Sequence, residues 1–391
     1  MIYLDNAATT LPKPSEVCEA VVDAMNTFGG VGRGVHEASL RAGMTVFEAR
    51  AQLAKLFCAP SPASVVLSAN ATAALNTAIC GLTHSRDHLI TTAASHNSVL
   101  RPLYRAQQQG CTLSILPVAP DGCIDYEAFD ALFASATRMA ILTHASNVTG
   151  DVYDIARMAA ICHEHDALCV VDAAQTAGIM PIDMAESGID VLVFTGHKSL
   201  FGPQGTGGMC IAEGVDIRPL MVGGSGTHSF DHEHPSVLPE SLEAGTLNSH
   251  GIAGLLAGVT YITEQGVETL GQSVQKLTAY FEERASAIDG VTIYGGRSEF
   301  ARCGIVALNI EGQDSALISD MLNTDFGICT RPGAHCAPMM HQALGSAESG
   351  LVRFSFSHLN TREELDRALD ALAYLAEKLQ SGETDENVQP W

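Results

Sequence analysis

Asp190-Val-Leu-Val-Phe-Thr-Gly-His-Lys-Ser-Leu-Phe-Gly-Pro-Gln-Gly-Thr-Gly-Gly208 is the stretch whose reading decides the fold. Four apolar residues, Val191 to Phe194, have the length and β-branched character of a buried strand, and Thr195-Gly196 ends it. The turn delivers one lysine, Lys198, into a segment rich in glycine and poor in charge. Desolvation of an ammonium in such surroundings lowers its pKa and favours the neutral, nucleophilic amine. Upstream, Leu168-Cys-Val-Val-Asp172 is a second buried-strand pattern, and it ends in a carboxylate. A carboxylate and a lysine at the ends of successive strands meet the two needs of a pyridoxal phosphate site: an amine for the aldehyde and an acid for the pyridine nitrogen.

Around these strands the chain alternates apolar runs with helical patterns. Val65-Val66-Leu67, Leu89-Ile90, Leu113 to Leu116, Ala140 to Leu142, Cys169 to Val171, Val191 to Phe194 and Gly208 to Ile211 read as strands. The alternation predicts an α/β fold with a mostly parallel sheet covered on both faces, whose ligands sit beyond the carboxyl ends of the strands, where Lys198 and Asp172 fall. Ser39 is read as the cap of a long helix to Phe57, and Gly223 to Gly245 as a loop near the site entrance. Further on, Val291 to Tyr294, Gly304 to Ile310, Gly327 to Thr330 and Leu351 to Phe356 alternate with helices and give a smaller α+β domain. Its last helix opens on the capping box Thr361-Arg-Glu-Glu364, and the tail 381–391 reads as frayed apart from what Trp391 contacts. The division expected is an N-terminal segment 1–14 packing with the small domain, a large domain 15–260 and a small C-terminal domain 261–391.

Bulk properties exclude several classes. The 44 acidic against 21 basic residues give a net charge of −23, which argues against binding a phosphate backbone or an anionic membrane surface. With neither a membrane-length apolar run nor a signal-peptide pattern, a cytoplasmic location is expected. Eleven cysteines without paired spacing do not form a disulfide framework or a structural zinc site, and most read as small buried apolar residues. His228, Asp231, His232, Glu233 and His234 have metal-ligand chemistry, but no regular element fixes their geometry, so no metal site is expected there.

Asp172-Ala-Ala-Gln175 followed by Thr195-Gly-His-Lys198 resembles the fold-type I pyridoxal phosphate enzymes of aminotransferase class V, in the cysteine desulfurase and selenocysteine lyase branch. The likeness runs from Tyr3-Leu-Asp-Asn-Ala-Ala-Thr-Thr10 to the C-terminal helix. It implies one antiparallel strand in the large sheet, a homodimer and pyridoxal phosphate bound through Lys198, with Asp172 on the ring nitrogen. It implies that Asn147 and Gln175 reach the phenolic oxygen of the cofactor, and that Thr195 and His197 reach its phosphate. Thr246, in Glu243-Ala-Gly-Thr-Leu-Asn248, matches the threonine that reaches the phosphate of the other subunit.

Some residues carry two readings. The turn before the helix expected from Ala73 onward offers backbone N–H groups near Ala71 and a hydroxyl from Thr72, either for a phosphate or simply as a strand-to-helix turn. Asn-Ala-Thr-Ala stands here where the family commonly has Gly-Thr-Thr-Glu. His96, in Ser95-His-Asn-Ser98, is a capping or surface histidine, or, as the resemblance implies, a ring against the pyridine face that passes protons. Arg353, a cation inside the apolar run Leu351 to Phe356, needs an anion: a substrate α-carboxylate, with Arg331 nearby, or a structural acid.

Cys336 stands apart from the other cysteines. It lies in Arg331-Pro-Gly-Ala-His-Cys-Ala-Pro338, a Gly/Pro-punctuated loop that exposes the sulfur and sets it beside His335 and Arg331, and it matches the desulfurases' Arg-x-Gly-x-His-Cys loop. Arg353 follows Cys336 by only 17 positions, too few for the long mobile cysteine loop of one family subgroup. The activity implied is conversion of L-cysteine to L-alanine with a persulfide on Cys336 and a protein as possible sulfur acceptor. Selenocysteine lyase, cysteine sulfinate desulfinase and a class V aminotransferase are alternatives within the fold. A non-catalytic sulfur-carrier scaffold is the alternative outside it.

Overall fold

A computed structural model describes residues 1–32, 34–226, 229–296 and 302–381. Among the described residues, twelve strands fall in three sheets. In chain order they are β1 (Ile2–Tyr3), β2 (Val65–Ser68), β3 (His88–Thr92), β4 (Thr112–Leu116), β5 (Thr137–Thr143), β6 (Leu168–Asp172), β7 (Val191–Thr195), β8 (Gly207–Ile211), β9 (Val291–Tyr294), β10 (Ile305–Ile310), β11 (Ile328–Cys329) and β12 (Val352–Ser355).

The large sheet has the order β2-β8-β7-β6-β5-β3-β4. All its neighbours run parallel except β8, which is antiparallel to both β2 and β7. This is the single reversed strand that the resemblance implies. Its strands read as unbroken apolar runs because both faces are buried. Leu67, Ala140, Leu142, Cys169, Val171, Leu192 and Phe194 point into one core, while Val66, Met139, Ile141, Val170, Val191 and Val193 point into the other. Glycine at the start of β8 is a packing requirement. A Cβ on Gly208 would stand 2.3 Å from the Val66 carbonyl oxygen, and one on Gly207 2.8 Å from Asn70 Cα. The close approach seats the Asn70 turn directly over the end of β7.

Two smaller sheets complete the fold. β12-β10-β9 is antiparallel, and β1 pairs in parallel with β11. Ile2 and Leu4 join the core formed by Phe281, Val306, Phe354 and Leu372. Beyond β1 the same segment crosses to the large sheet, where the Thr10 hydroxyl donates to the Lys198 carbonyl oxygen at 2.7 Å. The helix Ser249–Gln265 runs through residue 260, and its Ile262 packs in the large-sheet core.

Two helix starts differ from the sequence reading. The long helix begins at Glu37, and its cap is His36, whose ring accepts from Ser39 N; an imidazole nitrogen here replaces the expected serine oxygen. The helix after β2 begins at Ala71 rather than Ala73, because the Asn70 side chain caps it by accepting from Ala73 N at 2.9 Å. The capping box of the last helix, Arg362–Ser381, is formed: Glu364 N donates to Thr361 Oγ1 and Thr361 N to Glu364 Oε2. Trp391 lies outside the described residues. No described helix is long and apolar enough to cross a membrane.

Candidate active site

The carboxyl ends of β5, β6 and β7 open into one cavity of about 160 Å³. Thr143 ends β5, Asp172 ends β6 and Thr195 ends β7, so three adjacent parallel strands deliver one polar side chain each to its floor. Ala71, Thr72, His96, Asn147, Gln175, His197 and Lys198 also line it. Every residue expected around the cofactor meets here except Thr246. That residue is exposed and lines a larger cavity, of about 370 Å³, with Arg50 and Glu243.

Burial dominates the electrostatics. It lowers the Lys198 pKa to about 8, against a smaller opposing pull from Asp172. Burial raises the Asp172 carboxyl, which the Ala174 N–H, 3.0 Å from Oδ1, and Lys198 partly offset. His96 and His197 are both pushed down to about 4, by burial first and by the nearby Lys198 second. Both rings are therefore neutral at physiological pH.

His96 fulfils both of its readings at once. Its Nδ1 accepts from Ser98 N at 3.0 Å and so caps the helix Asn97–Gln108, while the ring lines the cavity. Ser98, which the sequence reading quoted without giving it a role, also lines the cavity, and its hydroxyl lies 2.7 Å from that of Thr72. One hydrogen bond thus joins the N-termini of two helices at one end of the cavity, where free backbone N–H groups and two hydroxyls converge. Two polar atoms are conspicuous: Asn147 Oδ1 and His197 Nδ1 are buried with no partner among the described residues. Buried polar atoms are ordinarily paired, so these two mark where a ligand completes the site. A small polar aromatic carrying an aldehyde and a phosphate fits the groups present: an amine, a carboxylate, a helix N-terminus and two unpaired polar atoms.

The Cys336 loop reaches this cavity through Asn147. The Asn147 amide donates to the His335 carbonyl oxygen at 2.7 Å, and Asn97 N donates to the Cys336 carbonyl oxygen at 2.7 Å. Cys336 is exposed, but so are Cys18 and Cys58, and exposure by itself does not single it out. None of the eleven cysteines is in a disulfide, and five of them are buried. His335, the thiol's neighbour in the loop, is a neutral ring. The ring is 3% exposed, burial pushes its pKa down to about 3, and its Nε2 faces the Arg331 carbonyl oxygen.

Arg353 has the anion that its burial demands. Its Nη2 lies 3.0 Å from Asp5 Oδ1, and Nη1 donates to the Asn147 carbonyl oxygen at 2.9 Å. Arg331 and Arg353 pair through their backbones, so both cations belong to one strand edge. Asp5 was not singled out by sequence reasoning, and no local signal links it to a residue 348 positions away. Of the histidine-rich loop, His228 lies outside the described residues; Asp231, His232 and Glu233 are exposed and His234 is half-buried, and no group of three or more His, Cys, Asp or Glu among the described residues is placed to hold a metal.

The class-V aminotransferase family matches residues 2–368. The chain belongs to this family, in its cysteine desulfurase branch. A probable cysteine desulfurase from Methanothermobacter thermautotrophicus is 33% identical over 384 residues, covering 96% of this chain and 94% of the relative. A cysteine desulfurase from Escherichia coli O157:H7 is 30% identical, over 95% of this chain and 92% of its own. Among solved structures, the apo cysteine desulfurase from Thermococcus onnurineus superimposes with a TM-score of 0.90 at 31% identity, over 96% of this chain and 94% of that one. The family is pyridoxal phosphate-dependent.

Proposed function

We propose that this chain is a pyridoxal phosphate-dependent cysteine desulfurase, taking L-cysteine to L-alanine and holding the released sulfur as a persulfide on Cys336. The observation that carries the reading is Asn147. One asparagine lines the Lys198 cavity, donates to the loop that bears Cys336 and accepts, through its carbonyl, from the buried Arg353. This one residue links the cavity that holds the amine to the thiol loop and to the buried cation, which supports the reading.

Lys198 would hold the cofactor through its aldehyde, with Asp172 keeping the ring nitrogen protonated. Ala71, Thr72, Thr195 and His197 would hold the phosphate, joined by Thr246 of a second copy of the chain. Asn147 and Gln175 would meet the phenolic oxygen, and His96 would cover the ring. When bound, pyridoxal phosphate supplies an electron sink for the pair released at the substrate Cα. Arg353, with Arg331, orients the substrate by its α-carboxylate, which fixes the Cα–H bond with respect to the amine. Lys198 Nζ then takes the Cα proton. The Cys336 thiolate attacks the substrate sulfur. A bond forms between the two sulfurs and the substrate Cβ–S bond breaks, its electron pair staying on Cβ, which gains a proton, and Lys198 Nζ returns a proton to Cα to complete alanine. The chain acts as a homodimer, and a protein thiol is the class of acceptor suited to the persulfide.

The reading is tested by measuring alanine and sulfide from L-cysteine, with a reductant present, for the wild type and Cys336→Ala. The variant keeps its cofactor absorbance and loses desulfuration by at least about 100-fold, yet still releases alanine from selenocysteine. Alanine formation from cysteine at the wild-type rate in Cys336→Ala would show that this thiol is not the sulfur acceptor.

A further inference from the structure

His335 and Cys336 both have left-handed backbone conformations, with φ of 51° and 58°. Two successive non-glycine residues in this region cost about 1 kcal/mol or more each, and they persist only where the surroundings hold them. The two carbonyl contacts from Asn147 and Asn97 hold one side of the loop. The other side is held by a chain of side chains that no step above uses.

His335 Nε2 lies 2.9 Å from the Arg331 carbonyl oxygen, His335 Nδ1 3.2 Å from His341 Nε2, and His341 Nδ1 2.9 Å from the Ser346 hydroxyl. His335 is 3% exposed, and His341 and Ser346 are 1% exposed. The two rings are nearly parallel, at 15°. Burial lowers the pKa of both, so both are neutral, and each has one donor and one acceptor nitrogen. A carbonyl oxygen can only accept, which makes His335 Nε2 the donor and His335 Nδ1 the acceptor. His341 must then donate from Nε2 and accept at Nδ1, and Ser346 must donate. Only one arrangement of protons satisfies every contact.

We infer that His341 and Ser346 are positioning residues for the Cys336 nucleophile: through a one-way hydrogen-bond chain they lock the His335 ring and hold the adjoining thiol in its left-handed, exposed conformation. The inference rests on the desulfurase reading above. Its anchors are rigid: Arg331 pairs with β12 at the near end, and His341 sits in the helix Pro338–Ala343. If His341 cannot donate from Nε2, His335 Nδ1 is left buried and unpaired, the ring is released, and the strained backbone relaxes. The side-chain contacts of Arg353, to Asp5 and to the Asn147 carbonyl oxygen, involve neither His341 nor Ser346.

The test compares holoenzyme His341→Leu, His341→Gln and Ser346→Ala in steady-state desulfuration, with Cys336→Ala as control. Leucine removes the donor, whereas glutamine restores an N–H close to the position of Nε2. A misplaced reacting group costs about ten-fold or more, so His341→Leu should lose at least that in kcat with KM for cysteine unchanged. His341→Gln should recover most of it, and alkylation of Cys336 should follow the same order. Ser346→Ala, the mildest change, frees the His341 tautomer and should lower kcat a few-fold; it decides the matter should His341→Leu not fold. Equal losses in the Leu and Gln variants, a loss confined to KM, or an unchanged kcat in Ser346→Ala would each overturn the inference. If instead Cys336→Ala keeps full activity, the desulfurase reading fails and not the positioning chain.

Discussion

The Asp5 carboxylate lies 3.0 Å from Arg353 Nη2, so a residue at the start of the chain neutralises a 1%-exposed cation on β12. In the absence of substrate this is the arginine's only carboxylate among the described residues, and its Nε has no partner. A substrate carboxylate binding there competes with Asp5 or adds to it.

Asp5→Asn removes the charge and keeps the shape. Removing one member of a buried pair costs 3–5 kcal/mol, and the partly exposed Asp5 side chain reduces this to about 2 kcal/mol. The variant should melt lower without ligand, while L-alanine or cysteine stabilises it more than the wild type, because the freed guanidinium binds an anion more tightly. Thermal melts with and without L-alanine check both halves. Equal ligand-induced shifts in the two proteins would mean that Asp5 and the substrate do not share the cation.

Lys198 sets the pH dependence of cofactor capture. Burial favours the neutral amine and lowers its pKa from 10.5 to about 8. The rate at which apoprotein takes up pyridoxal phosphate should therefore rise with pH and level off above about 8, where an ordinary lysine continues to rise past 10. The same shift makes the unfolded chain bind more protons between pH 8 and 10.5, so this residue's contribution to stability improves as pH rises through that window. Chemical denaturation across the window should show that slope in the wild type and lose it in Lys198→Met.

His96 caps a helix and lines the cavity, and the two tasks separate in one variant. His96→Asn keeps a side chain that accepts from the helix N–H groups, so stability should stay within about 0.5 kcal/mol of wild type. Desulfuration should fall by at least about ten-fold as the ring is lost. Because burial holds the His96 pKa near 4, the wild-type rate should have no inflection near pH 6.5 from this ring. A pH–rate profile and a denaturation curve of the same preparation check the three statements.

Glu243 ties the Thr246 loop to the large sheet. It pairs with Arg50 at 2.5 Å and accepts from Leu67 N at 2.6 Å, with both side chains less than a tenth exposed. Glu243→Ala leaves the buried Arg50 cation with the Val65 carbonyl oxygen but no carboxylate, removes the acceptor of the Leu67 N–H, and should cost about 3–5 kcal/mol. The variant should also weaken association between copies of the chain, since the loop carrying Thr246 loses its anchor. Calorimetry and sedimentation velocity read these two effects independently.

Sequence alone determined the large sheet and the floor of the site. Val191 to Phe194 and Leu168 to Val171 can be buried on both faces only as interior strands, and a polar residue at the end of such a strand necessarily falls at the sheet's carboxyl edge. That local logic places Asp172 and Lys198 together, and the family resemblance adds Thr195. Tertiary structure decided what lies between distant segments: the pairing of Asp5 with Arg353, the bridge from Asn147 to His335, and the neutrality of His335 itself. These depend on which surfaces exclude water and which groups meet across more than a hundred residues, and neither hydrophobic period nor motif spacing records a distance in space. The left-handed backbone at Cys336 belongs to the same class, because a non-glycine residue stays there only when contacts from elsewhere in the fold hold it.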